Sequence, residues 1–204
     1  MMHSIVEYLD YLFPNPKCEL NYSKDYELLI AVMLSAQTTD KRVNEVTSVL
    51  FKRYDSLLKL ASADVDDIKN IIKSIGMVNK KAQNVIDISK KLLLIGYVPN
   101  DRKFLEMLPG VGRKTTNVVL STLYDEKCIA VDTHVTRVSI RLGIANECDN
   151  VLTIEKKLNK YFPKEKLNRL HHQLVLFGRY YCTAKNPKCE NCRLCGICKI
   201  DKYK

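Results

Sequence analysis

The chain has 204 residues, 46% of them hydrophobic, enough for a real core in one large domain or two small ones. Its formal net charge is +10, and residues 164–204 hold ten Lys/Arg against three Asp/Glu, or +7, leaving +3 for the first 163. A basic C-terminal quarter points to a polyanion, most often nucleic acid. Residues 1–13 carry Glu7 and Asp10 without a basic start, and the longest apolar stretch, 28–34, is far too short for a bilayer. A secretory signal and a membrane partner are therefore not expected; a soluble, intracellular protein is.

The apolar spacing is helical almost throughout. Ile5, Leu9, Leu12 and Phe13 line a first helix that Pro14 and Pro16 stop. Residues 26–37 read as a strongly apolar, buried helix ending in the polar run Ser35-Ala36-Gln37-Thr38-Thr39-Asp40. Asp40 can cap the next helix, with Val43, Val46, Val49 and Leu50 inward. Leu57, Leu58 and Leu60 make a short helix. Ser62 or Asp64 starts another, with Ile68, Ile71, Ile72 and Ile75 as its stripe and Gly76 at C′. Ala82, Val85, Ile86, Ser89 and Leu93 carry the next towards Gly96. Helices over 101–107 and 113–124 flank a tight turn, and 132–142, 151–162 and 167–181 complete about ten. The β-like runs are too short to matter, so the fold class is all-α. Charged residues interrupting two apolar runs near 124–128 mark a weak domain boundary.

The most informative segment is Leu108-Pro109-Gly110-Val111-Gly112-Arg113-Lys114-Thr115. Two glycines permit positive φ and leave backbone amides uncovered at the start of a helix, where the dipole favours an anion. That is a phosphate cradle with a lysine beside it. If the hairpin holds a DNA strand, the Lys114 amine can reach a deoxyribose C1′. Attack requires the neutral amine, which burial, the helix start and nearby Arg113 each favour. Downstream, Asp132 in Val131-Asp132-Thr133-His134 reads as a helix N-cap. A rigidly held cap carboxylate can also take a proton or stabilise positive charge on an opening sugar. His134, His171 and His172 read as structural. Gln37 can enter the gap left by an extruded base, and Met77, in the turn Gly76-Met77-Val78-Asn79-Lys80-Lys81, can wedge between base steps.

Eight cysteines are present, with no secretory context to favour disulfides. Cys182, Cys189, Cys192 and Cys198 follow C-x6-C-x2-C-x5-C, and four neighbouring thiolates can bind zinc or a [4Fe-4S] cluster. Spacing alone does not choose between them, and Cys195 offers a second possible set. Lys185 and Lys188 lie in the loop between the first two cysteines, where a metal pins both ends and the amines can meet phosphates.

Together these residues resemble the endonuclease III family of helix-hairpin-helix DNA glycosylases. The resemblance runs in order through 34–40, 79–82, 108–119, 131–134 and 178–182 with the later cysteines. It implies two helical domains, residues 22–126 bearing the hairpin and 1–21 plus 127–204 bearing the cluster. It implies a [4Fe-4S] cluster on Cys182, Cys189, Cys192 and Cys198, with Cys195 left out. Lys114 matches the Schiff-base lysine, Asp132 the essential aspartate, and Gln37 the residue that fills the vacated base position. Leu108, Gly110, Val111, Gly112 and Arg113 fall in the DNA-gripping hairpin, and Glu106 and Asp40 match supporting acids. Met77 stands where the family usually has a leucine, and Phe177 where a histidine often precedes Gly-Arg-Tyr. The implied activity is excision of oxidised pyrimidines followed by β-elimination at the abasic site, in base excision repair. The partner is double-stranded DNA with damaged pyrimidines or abasic sites, the state monomeric, the location cytoplasmic and nucleoid-associated. The adenine-glycosylase branch shares the hairpin, the aspartate and the cluster but does not normally carry a lysine at the matching position.

Overall fold

A computed structural model describes residues 1–199. Among them are eleven α-helices, two single-turn 3-10 helices and no strand. The chain divides into two compact units, Glu19–Tyr124 and Met1–Cys18 with Asp125–Lys204. Residues 200–204, the end of the expected cluster domain, lie outside the described residues.

In the unit Glu19–Tyr124, α2 (Asp25–Leu34) is the buried centre, with Tyr26 through Leu34 all buried. A helix that is apolar all round must be covered on every side, and α3 (Asp40–Arg53), α6 (Val78–Leu93) and α8 (Arg113–Tyr124) pack against it. The short α4 (Leu57–Ala61) and α5 (Val65–Ile72) pack on α6, and α7 (Arg102–Glu106) packs on α8. α2 ends at Leu34, three residues short of the expected Gln37, and Ser35, Ala36 and Gln37 form a turn.

Several helix faces differ from the expected ones. The cap of α3 is Thr39, whose hydroxyl accepts from the Arg42 amide, and Asp40 is the first helical residue. Val49 is exposed because Val43, Val46 and Leu50 define a face on which Thr47, not Val49, falls; the Thr47 hydroxyl is satisfied on the Val43 carbonyl at 2.9 Å. Leu58 and Leu93 are exposed for the same reason: each follows a buried residue, Leu57 or Leu92, and is turned about 100° from it around the helix. Gly76 is not the C′ residue expected: α5 ends at Ile72 with Lys73 as its C-cap, Gly76 has no left-handed φ, and the left-handed residue is Met77, the N-cap of α6, at φ 56°.

In the other unit, α1 (Met2–Leu12), α9 (Thr133–Arg141), α10 (Val151–Tyr161) and α11 (Leu167–Tyr180) share one core built on Ile5, Leu9, Val135, Val138, Ile154, Leu158, Leu170, Leu174 and Phe177. Leu194 anchors the C-terminal loop in that core. The Arg193 guanidinium lies 4.4 Å from the Tyr11 ring centroid, and the Tyr8 hydroxyl donates to the Asn191 carbonyl at 3.2 Å, tying the loop to α1.

Candidate nucleic-acid interface and cysteine centre

The hairpin is closed by its own backbone. The Leu108 amide donates to the Leu105 carbonyl at 3.0 Å, Val111 to Leu108 at 3.1 Å, and Thr116 to Gly112 at 2.9 Å, which starts α8. Leu108 and Val111 are buried, so they hold the turn from below and leave their backbone for a ligand. Gly110, Gly112, Arg113 and Lys114 are exposed. The two glycines do different work. Gly110 has φ +76°, and a Cβ there would lie 2.4 Å from Asn84 Nδ2 of α6. Gly112 has no left-handed φ and nothing within 4 Å of a Cβ position, so its backbone is open to a ligand. Open main chain at the positive end of α8 is a place for a phosphate.

Lys114 follows on the first turn of α8 and is exposed, so the burial expected for it is not what the unit provides. A residue at a helix start projects where few neighbours can cover it. Nearby, Arg102 Nη1 lies 2.6 Å from Asn117 Oδ1 and 3.5 Å from Glu106 Oε1.

Two further exposed tips belong to the same unit. Gln37 has φ 58° and Met77 φ 56°, a conformation that non-glycine side chains rarely adopt. Gln37 is exposed and Met77 is 50% exposed, so neither residue is held there by burial of its own side chain. Lys81, expected on an exposed turn, is 3% exposed. Its Nζ donates to the carbonyls of Leu34 at 2.8 Å and Ala36 at 2.7 Å.

In the other unit, Asp132 is the N-cap of α9, as its position suggests. Its Oδ1 accepts from the Val135 amide at 2.8 Å, while its backbone carbonyl accepts from Thr136 at 2.8 Å. The cap fixes the carboxylate, and a carboxylate has a second oxygen to offer. α9 continues into two arginines that periodicity did not single out. Arg137 donates to the carbonyls of Gly178 at 2.6 Å and Cys182 at 3.0 Å, and lies 3.2 Å from His134 Nδ1. Arg141 donates to the Thr183 carbonyl at 2.7 Å and approaches Cys182 Sγ at 3.2 Å. α9 and α11 approach so closely at Gly178 that a Cβ there would lie 2.8 Å from His134 Cβ. The helix that opens on Asp132 is thus fastened to the segment around the first cysteine, and His134 has the structural place expected of it.

Cys182, Cys189, Cys192 and Cys198 line one small cavity, and Cys195 lines it too. Burial pushes the Cys189 thiol up, helped by Cys195, Cys182 and Cys198; burial also pushes the Cys192 thiol up. Crowded thiols of this kind resist becoming thiolates together unless a cation compensates them, and sulfur is the donor that iron and zinc take. The donor set therefore fits a metal centre. Among the described residues no three His, Cys, Asp or Glu side chains converge closely enough to hold a single ion. Lys185 and Lys188 are exposed on the loop, with Asn186 between them at φ 51°. Lys185 faces outward, whereas the Lys188 amine lies over the Tyr181 ring, 5.0 Å from its centroid.

Comparison with known proteins gives one answer. The family model described as "HhH-GPD superfamily base excision DNA repair protein" matches residues 30–164. Endonuclease III of Bacillus subtilis is 46% identical over 190 residues, covering 92% of this chain and 87% of that protein. Endonuclease III of Escherichia coli is 46% identical over 188 residues, covering 91% and 89%. A solved structure of endonuclease III trapped as a covalent intermediate with DNA matches with a TM-score of 0.91 at 43% identity, covering 98% of this chain and 96% of that one. A thermostable thymine-DNA glycosylase, 23% identical with a TM-score of 0.86, shares the fold.

Proposed function

The chain belongs to the endonuclease III family of HhH-GPD base excision DNA repair enzymes, and from that premise we propose that it is a bifunctional DNA N-glycosylase and abasic-site lyase acting on oxidised pyrimidines in double-stranded DNA. The observation that carries this reading is the exposed hairpin. Open backbone at Gly112 starts a helix whose second residue is Lys114. A phosphate held by main chain at that helix start leaves the adjacent amine beside the sugar of the same strand.

In this reading the Lys114 amine attacks C1′ as the bond to the damaged base breaks, and the base departs with a proton. The imine then formed on Lys114 makes the C2′ proton acidic. Its loss expels the 3′ phosphate by β-elimination, and water hydrolyses the imine to release the enzyme. Asp132, rigid at its cap, accepts a proton or stabilises positive charge on the opening sugar. Gln37 occupies the space left by the extruded base, and Met77 wedges into the stack beside it. Arg113, Lys185 and Lys188 add salt-dependent, sequence-independent grip.

Cys182, Cys189, Cys192 and Cys198 would hold a [4Fe-4S] cluster, which is electron-transfer chemistry in principle and here a covalent staple for the loop carrying Lys185 and Lys188. Five cysteines around one cavity offer the sulfur donors such a cluster takes, and the family membership favours it over a single zinc. The residues 22–126 then form the hairpin domain, and 1–21 with 127–204 the cluster domain. The protein works as a cytoplasmic, nucleoid-associated monomer.

The test is borohydride trapping. Incubation with thymine-glycol or abasic duplex and borohydride is expected to give a covalent protein–DNA adduct that Lys114→Ala abolishes. No adduct and an uncut strand from the iron-loaded protein would leave only a DNA-binding module.

A further inference from the structure

Lys81 has an unusual position for a cation. It is 3% exposed, although its neighbours Asn79 and Lys80 are exposed on the first turn of α6. The partners of its ammonium are all uncharged: the Leu34 carbonyl at 2.8 Å, the Ala36 carbonyl at 2.7 Å and the Thr38 hydroxyl at 3.5 Å. An ammonium has three N–H donors, and three oxygens receive them. Those oxygens belong to the last residue of α2 and to the turn after it, where a helix presents unpaired carbonyls and the negative end of its dipole. Burial pulls the Lys81 amine down from the usual lysine range, which is the cost these oxygens offset.

Two of the three acceptors flank Gln37 directly. The same residue reaches Met77 through its backbone, since the Lys81 amide donates to the Met77 carbonyl at 3.0 Å as the first hydrogen bond of α6. Gln37 and Met77 are both non-glycine residues in the left-handed region, and both side chains are exposed. Such a conformation persists only where the surroundings over-determine it. The turn around Gln37 has one short backbone closure of its own, from the Thr38 amide to the Ser35 carbonyl at 3.0 Å. Local side-chain bonds add to it, from the Ser35 hydroxyl to the Val32 carbonyl at 2.8 Å and from the Thr38 hydroxyl to the Ala36 carbonyl at 3.5 Å, and the restraint from α6 comes through the Lys81 side chain.

We propose that Lys81 is a positioning residue: it locks the Gln37 turn to the Met77 turn, so that the two tips enter DNA as one rigid piece. This rests on the roles given above to Gln37 and Met77. Lys81 does not touch DNA in this account. It acts by holding strained backbone in the inserting conformation before DNA arrives, which removes an ordering cost from the insertion step.

The test uses the full-length, iron-loaded protein with Lys81→Met, which keeps length and apolar stem while removing the donors, and Lys81→Arg. Three readouts are taken: fluorescence of 2-aminopurine placed opposite a tetrahydrofuran abasic analogue in duplex DNA, single-turnover cleavage of abasic duplex, and single-turnover cleavage of single-stranded abasic DNA. Insertion unstacks the reporter only in the duplex, and the single strand has no stack to enter. Lys81→Met is expected to slow reporter displacement and duplex cleavage by roughly tenfold or more, as a misplaced contact does. Single-strand cleavage is expected to stay within about twofold of the parent, since the Lys114 chemistry is untouched. Equal losses on single-stranded and duplex DNA, or duplex displacement at the parent rate, would each overturn the proposal. If Lys81→Met does not fold, Lys81→Arg decides. It keeps the charge but cannot converge three donors from one atom, so roughly threefold or greater loss restricted to duplex DNA is expected, and parent behaviour refutes the idea. Gln37→Ala and Met77→Ala separate this from the reading beneath it. If they displace the reporter like the parent, the tips themselves are misassigned; if they are impaired and Lys81→Met is not, only the lock is wrong.

Discussion

Gly110→Ala probes how tightly the hairpin is seated. A methyl group there meets two separate penalties. The residue sits at φ +76°, where a side chain costs about 1–2 kcal/mol. The new Cβ would also lie 2.4 Å from Asn84 Nδ2 and 3.3 Å from Met33 Cγ, both on buried side chains, and overpacking of that kind costs about 1–3 kcal/mol. The expected loss is therefore about 2–5 kcal/mol, measured as a shift in the urea midpoint at constant slope. The two terms separate in the double variant Gly110→Ala/Asn84→Ala. Removing the amide relieves the clash and leaves the φ penalty, so a coupling of about 1–3 kcal/mol should appear in the cycle. Losses that add within about 0.5 kcal/mol would show that Asn84 does not crowd Gly110, and the close seating of the hairpin on α6 would be wrong.

Gly112→Ala should behave oppositely. With nothing near its Cβ and no left-handed φ, it should change stability by less than about 1 kcal/mol, the smaller unfolded-state entropy opposing the poorer N-cap, while weakening abasic-duplex affinity several-fold in fluorescence anisotropy; undiminished affinity would remove the phosphate role of that backbone. Asp132→Asn keeps an oxygen for the Val135 amide, so it should fold and bind abasic duplex normally while turning over far more slowly in single-turnover cleavage. Unchanged turnover would leave Asp132 a cap only. Burial holds the His172 imidazole below the usual histidine value, so on acidification the unfolded chain takes up the proton first. The contribution is present in full above about pH 6.5 and is lost as pH falls from there towards the folded value. His172→Gln should flatten that part of the profile in urea melts between about pH 7 and pH 5, and an unaltered slope would assign it to other groups.

The hairpin, the cap at Asp132 and the thiol loop were legible because each is local in sequence: its parts lie within a few residues and its geometry follows from their type. The distinct duties of Gly110 and Gly112 were not, because one is set by Asn84, 26 residues away. Thr39 and Asp40 are both good caps, and only the backbone path chooses between them. Arg137 and Arg141 escaped notice because their partners are carbonyls 41 to 45 residues downstream, which no local pattern displays. Lys81 left a trace that was missed. Counting back four residues from the buried Val85 lands on it, so it occupies a core position of α6 despite its charge.

Each unit uses one helix to connect functional groups that the sequence presents as separate motifs. On α6, Met77 is the N-cap, Lys81 holds the turn after α2, and Asn84 sits under the hairpin glycine. These three lie within the first two turns, so a displacement of that helix start moves Met77, the Gln37 turn and the seat of the hairpin together. On α9, Asp132 caps the start while Arg137 and Arg141 fasten the later turns to Cys182. In both cases the connecting bonds run from a cationic side chain to backbone carbonyls, not to carboxylates. A carbonyl cannot be neutralised by a proton at moderate pH and is fixed by its own helix. The attachments should therefore survive acidification that would break ion pairs, and backbone displacement is what would undo them there.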